Sequence, residues 1–180
     1  MILKGKRVYL KLLEQGELPA VHAILCTPGV IENLMWNHAD LLLAHLPTLL
    51  TGDAPTSRAF GIWALDVNRL IGVVTLNKYL PVPRSAVVGM FAIHPSAAAL
   101  RAAEDAFRVL AVYCADTLNL NRVGFYCWDG NRISETLYRR IGAVPEGRLR
   151  AETFKGGKYV DKLLYSMLRE DFEKWRATWH

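Results

Sequence analysis

The stretch from Leu118 to Ala143 constrains the fold more than any other part of the chain. Arg122 to Cys127 is a short β-rich run, Asp129-Gly130 is a turn signal, and Asn131 opens a segment of helical spacing that stops at Gly142. Asparagine suits a helix cap and glycine suits the left-handed residue after a helix end. A strand that turns this tightly into a helix brings small polar side chains together at the strand end and helix start. In the helix, Ile133, Leu137 and Ile141 recur as one apolar face, and Asn131, Ser134 and Tyr138 form an adjacent polar stripe.

The rest of the chain fits around this unit. Arg7 to Leu12 alternates like a half-buried strand, and Glu17 to Cys26 carries a helical pattern. Leu41 to Leu50 reads as a second apolar helix crossed by Pro47. Three strands follow at Phe60 to Asp66, Leu70 to Asn77 and Ala86 to Ile93, with turn signals at Asn68 and Pro81 to Pro83. Ser96 to Asp116 is alanine-rich and helical, so it joins the third strand to Arg122–Cys127 as a βαβ unit. Arg148 to Phe154 and Tyr159 to Met167 flank Lys155-Gly156-Gly157-Lys158 as a hairpin, and a short charged helix runs from Arg169.

With 180 residues, 52% of them apolar and 22% charged, the chain can bury one sizeable core, so residues 1–180 read as a single domain. Apolar runs stop well short of the roughly 18 residues a membrane span needs, and the N-terminus has a strand pattern where a signal peptide would have an apolar core; the expected compartment is the cytoplasm. Cys26, Cys114 and Cys127 are odd in number and set among apolar residues, which points to core packing rather than to a disulfide framework or zinc site. No histidine pair has metal-ligand spacing, and no metal is expected. The net charge of +5 divides as about +2 on residues 1–90 and +3 on residues 91–180. Such a balance suits a phosphate-bearing cofactor, an acidic peptide or RNA equally; without a basic tail or stripe, nucleic acid is not the expected partner.

Several phrases together resemble the GNAT (N-acetyltransferase) superfamily, in the branch of the Rim-type ribosomal-protein N-terminal acetyltransferases. They are Gly5-Lys6-Arg7-Val8-Tyr9-Leu10, Leu70-Ile71-Gly72-Val73-Val74, Arg84 to Gly89, Asn131-x-x-Ser134, Glu146 to Arg150 and Asp161-x-x-x-Tyr165. The resemblance implies an α/β (α+β) fold with a mixed, mostly antiparallel central sheet of about seven strands and helices on both faces. It also implies acetyl transfer from acetyl-CoA to a primary amine, either a protein N-terminus or a small amine. Exposed edge strands in this fold leave a homodimer open.

One segment departs from the family pattern. Where the strand meets the long helix, such families carry Arg/Gln-x-x-Gly-x-Gly/Ala, whose backbone N–H groups approach the cofactor pyrophosphate. Here the matching residues are Ala98-Ala99-Leu100-Arg101-Ala102-Ala103, and only the last small residue is kept. Arg101 is itself able to meet a phosphate. The run looks helical from Ser96 onward, which would close the open loop into an extra helical turn. A different acyl or aminoacyl donor, or a non-catalytic binding module, therefore stands as the alternative function.

By resemblance, the backbone of Phe91-Ala92-Ile93 would pair with the pantetheine arm, Ala98, Leu100, Arg101, Ala102 and Ala103 would meet the pyrophosphate, and Asn131 would hold the pantetheine. Ser134 would protonate the departing thiolate, with Tyr138 in reserve. The family's carboxylate base aligns with Thr153, and neighbouring Glu152 is the candidate, although a one-residue slip turns a strand side chain to the other face. Glu32 and Trp36 lie where the family shapes its acceptor pocket.

Overall fold

The computed structural model describes residues 1–35, 42–51, 56–96 and 99–179. Eight strands form one sheet in the order β1-β2-β3-β4-β5-β6-β8-β7. They are β1 (Ile2–Lys4), β2 (Val8–Leu12), β3 (Arg58–Ala64), β4 (Arg69–Leu80), β5 (Ser85–Ile93), β6 (Arg122–Trp128), β7 (Val144–Lys155) and β8 (Lys158–Leu168). Every neighbouring pair is antiparallel except β5–β6. The sequence pattern predicts about seven strands; the eighth is β1, only three residues long and too short to show a period.

Two helical layers cover the sheet. On one face, α3 (Ala99–Val112), α4 (Arg132–Arg140) and α5 (Arg169–Arg176) bury Phe107, Leu110, Leu137, Ile141, Phe172 and Trp175 against Phe60, Leu76, Val88 and Phe125. On the other, α1 (Leu18–Leu25) and α2 (Leu46–Thr51) pack Val21, Leu25, Leu46 and Leu50 onto Val73, Met90 and Ala92. Pro47 does not break α2: as the second helical residue it lacks an N–H that would be unpaired there anyway. The expected helix from Leu41 is shorter than read, a 3-10 turn at Leu43–His45 preceding α2, and Leu41 lies outside the described residues.

Two other expectations are corrected. The described part of the helix after β5 begins at Ala99, whose N–H bonds the Ser96 carbonyl at 3.0 Å, and Ala97 and Ala98 lie outside the described residues. The helix's last part, Tyr113–Thr117, widens into a π-helical turn. Ile133 is 62% exposed because the buried face of α4 centres on Leu137, Tyr138 and Ile141 and leaves the first turn at its rim. Cys114 and Cys127 are core residues, but Cys26 is exposed beside His22, one turn back on α1.

The turn between β1 and β2 is fixed from α3. Asp105 is buried, and its carboxylate accepts the N–H groups of Lys6 (3.2 Å), Arg7 (2.7 Å) and Val8 (3.0 Å). Gly5 is required there, since a Cβ would stand 2.5 Å from Asp105 Oδ2.

Candidate active site

The parallel seam between β5 and β6 runs for four pairs, from Ser85↔Arg122 to Val88↔Phe125, and then the strands part. Each leads at its open end into a helix, β5 into α3 and β6 into α4. The wedge between them is a cleft of about 60 Å³ that opens to solvent. Gly89, Met90 and Phe91 form the β5 wall, Tyr126 and Cys127 the β6 wall, and Ser134, Leu137 and Tyr138 the α4 wall.

The backbone of β5 is prepared for a ligand here. Met90 N–H donates to Thr75 Oγ1 at 2.8 Å and His94 N–H donates to the Ile71 carbonyl at 2.8 Å, both on the β4 side. Strand N–H groups alternate in direction, so those of Phe91 and Ile93 face the wedge, where β6 no longer pairs with them. A chain of amides laid in the wedge would continue the sheet. Phe91 presents its ring to Phe107 at 4.5 Å, and Ala92 is buried toward α1 and α2.

On α4, Asn131 is the N-cap. Its Oδ1 accepts Ser134 N–H at 3.1 Å and its Nδ2 donates to the Asn33 carbonyl at 2.8 Å. Its amide thus ties the helix start to the strap that follows α1. Trp128 Nε1 reaches the same carbonyl at 3.3 Å, and Lys155 Nζ donates to the Leu34 carbonyl at 2.8 Å, close to the Trp128 ring. Three side chains therefore latch the Asn33 and Leu34 carbonyls, and Asn33–Met35 line the α1/α2 side of the cleft. Burial lowers the Lys155 pKa, with Glu32 acting the other way.

Ser134 is half-buried and projects to the cleft. Tyr138 lies one turn on, in a row of rings between Phe125 (5.4 Å) and Tyr165 (5.2 Å), and its Oη donates to the Tyr126 carbonyl at 3.0 Å. Burial pushes the phenol pKa up, and a hydrogen bond with Ser134 opposes this more weakly. Tyr138 is accordingly neutral over the physiological range. The pair is a proton-holding group on the α4 wall.

Other expected site residues lie apart from this cluster. Glu152 sits in a β7 bulge where Ala151 has φ +52°, outside the cleft wall. Lys162 bonds it at 2.8 Å and, foremost, lowers its pKa, with Thr153 adding to the effect. Its register thus turns Glu152 into an ion pair on β8 rather than toward Ser134. Glu32 is exposed on the 3-10 turn Ile31–Asn33, beside the strap but not lining the cleft. In the first turn of α3, Leu100 is half-buried, Arg101 exposed, and Ala102 and Ala103 buried. Trp36 and Ala98 lie outside the described residues. Among the described residues, no three His, Cys, Asp or Glu side chains gather as a metal would need.

The strap residues, Thr75, Gly89 and Lys155 were not singled out from sequence. Only Gly89 carried a local signal, a glycine inside a strand pattern, which marks a bulge or a close approach.

This architecture defines a class. The acetyltransferase (GNAT) domain family matches residues 7–144, and the chain belongs to that family. YdaF of Bacillus subtilis (strain 168), provisionally described as a ribosomal N-acetyltransferase, is 31% identical over 104 residues. That alignment covers 58% of this chain and 56% of YdaF, so the chain matches a little over half the length of this relative. Spermidine N-acetyltransferase from Vibrio cholerae, in complex with CoA and spermine, superposes with a TM-score of 0.80 at 22% identity, over 93% of this chain and 98% of that one. A GCN5-related N-acetyltransferase from Brucella melitensis gives 0.81 at 19% identity, over 98% and 84%. At such identities these likenesses establish the fold.

Proposed function

We propose that the protein is an N-acetyltransferase that moves an acetyl group from acetyl-CoA to a primary amine, a protein N-terminus or a small amine. The observation that carries this reading is the wedge itself: the part of β5 beyond its pairing with β6, facing Ser134 and Tyr138, in a chain of the acetyltransferase family. Among the described residues no strand pairs with the N–H groups of Phe91 and Ile93, which fit an amide-bearing arm, so residues 91–93 would hold the pantetheine. Arg101 and the first turn of α3 would meet its phosphates, although the segment lacks the family's glycine.

Transfer forms a C–N bond and breaks a C–S bond, so the amine must lose a proton and the thiolate must gain one. The thioester supplies the activated acetyl group. Ser134 holds the proton for the sulfur, and the Tyr138 phenol stands behind it as its hydrogen-bond partner and reserve. Glu32 and Glu152 both stand off the cleft wall, and Lys162 keeps Glu152 a weak base; the amine proton therefore leaves through solvent. The latched strap at Asn33–Met35 closes the side from which the amine arrives and sets the width of its entry.

Calorimetric titration with acetyl-CoA, with free CoA and ATP as comparison ligands, tests this reading. Stoichiometric binding of acetyl-CoA supports it. Absence of binding refutes it and favours the second reading, a different donor or a non-catalytic module, which the glycine-free segment and exposed Arg101 motivate.

A further inference from the structure

β4 and β5 pair in regular register through Gly72↔Ile93, Val73↔Ala92 and Val74↔Phe91, and the register then jumps to Leu76↔Val88. Thr75 alone faces two residues, Gly89 and Met90, which is a β-bulge. The bulge reverses the faces of β5. Val88 packs with the α3/α4 core, Met90 and Ala92 with the α1/α2 core, and Phe91 again with the α3/α4 core. It lies where β5 leaves β6, and Gly89, Met90 and Phe91 line the cleft.

Something must hold the extra residue, because an extra residue leaves ladder groups unpaired. The holder is a side chain. Thr75 is 1% exposed, and its hydroxyl accepts the buried Met90 N–H at 2.8 Å. On the same side, the Asn77 carboxamide occupies the place of the side chain that Gly89 lacks: a Cβ there would collide with Asn77 and come within 2.9 Å of Thr75 Oγ1. Thr75 thus fixes which amides point where. With Met90 N–H taken on the β4 side, those of Phe91 and Ile93 turn to the wedge; a slip of one residue would present Met90 and Ala92 instead.

We propose that Thr75 is a positioning residue for acetyl transfer, acting through the Met90 amide to aim the β5 backbone N–H groups at the thioester. The proposal rests on the acetyltransferase reading above. Thr75 touches no substrate; it determines the direction of the groups that do. A thioester carbonyl gains from an N–H only when the donor is correctly aimed, and a misplacement of about 1 Å costs on the order of 100-fold in rate.

The test compares Thr75→Val, which keeps the branched shape but lacks the acceptor, with Thr75→Ser, which keeps the acceptor. Acetyl transfer from acetyl-CoA is measured with spermidine and with a short peptide as acceptors. Thr75→Val is expected to lower kcat roughly 100-fold while the acceptor KM stays within about two-fold. Thr75→Ser is expected to restore kcat to within about five-fold. A Thr75→Val protein that turns over like the wild type and is merely less stable overturns the proposal. Should Thr75→Val not fold, amide hydrogen exchange at Met90 decides in the wild type and Thr75→Ser: slow exchange in both supports the bracket, and fast exchange in the wild type overturns it. A wild-type protein with a protected Met90 amide but no affinity for acetyl-CoA overturns instead the activity on which the proposal rests.

Discussion

Replacing Ser134 by alanine separates chemistry from architecture with unusual cleanness. The cap of α4 runs from Asn131 Oδ1 to the Ser134 backbone N–H at 3.1 Å, so alanine keeps it. Alanine is also the better helix former, by about 0.5 kcal/mol on intrinsic propensity. The Ser134 hydroxyl acts on the Tyr138 phenol, which keeps its own bond to the Tyr126 carbonyl when Ser134 is changed. Stability should therefore hold or rise by a few tenths of a kcal/mol, read as an unchanged or higher urea midpoint. Turnover should fall by about 10²- to 10⁴-fold, the contribution of a positioned acid, which is about 3–5 kcal/mol of barrier. Single-turnover assays with acetyl-CoA and a saturating amine give the rate of the transfer step. Adding Tyr138→Phe completes a double-mutant cycle; the ring packing against Phe125 and Tyr165 survives in phenylalanine, so only the hydroxyl is lost. If Ser134 and Tyr138 act as one unit, the double variant is little worse than Ser134→Ala. A Ser134→Ala protein with wild-type turnover would refute the assignment and leave Ser134 as an ordinary first-turn residue.

Asp105→Ala should destabilise by about 3–4 kcal/mol in urea unfolding, because Val8 and the two part-buried amides of Lys6 and Arg7 lose their acceptor together; a loss under 1 kcal/mol would show that water replaces the carboxylate. Glu146, bonded by Arg122 and then by Ser166, has its pKa lowered to about 2. A depressed carboxylate lends stability that is complete above about pH 4.5 and is lost as pH falls to about 2, so Glu146→Gln should flatten acid unfolding in that window. The effect is small, as the pair is partly exposed. Cys26 alone should react promptly with a thiol reagent in the native protein, since burial pushes Cys114 and Cys127 up to about 12; three fast thiols would contradict the packing of α3 and β6.

Local pattern made most of the fold legible. The meander β3–β5, the βαβ unit and the β7–β8 hairpin each carry their own period and turn residues, and Asn131 and Gly142 mark the ends of α4 by chemistry that needs no distant partner. What stayed hidden depends on contacts far apart in the chain. β1 exists because Asp105, nearly a hundred residues away, gathers the turn after it. Tyr138 reads as part of a polar stripe, yet Phe125 and Tyr165 draw it into a row of rings. Glu152 reads as a base, but the bulge at Ala151 hands it to Lys162. Of the residues lining the cleft, Asn131, Ser134 and Tyr138 were legible together from helical spacing, whereas Phe91 was indicated by the family resemblance alone. Thr75 and Lys155 were not legible, since each acts on backbone of another element, and no spacing along the sequence records such a bond.

The four-rung seam between β5 and β6 makes the sheet two antiparallel plates, β1–β5 and β6–β8, stitched along a short margin. Any extended amide chain lodged beyond Val88 and Phe125 lengthens the stitching. A molecule of that kind would be mechanical as well as chemical in its effect, an added rung between the plates, and would stabilise the protein in proportion to the logarithm of its concentration over its dissociation constant.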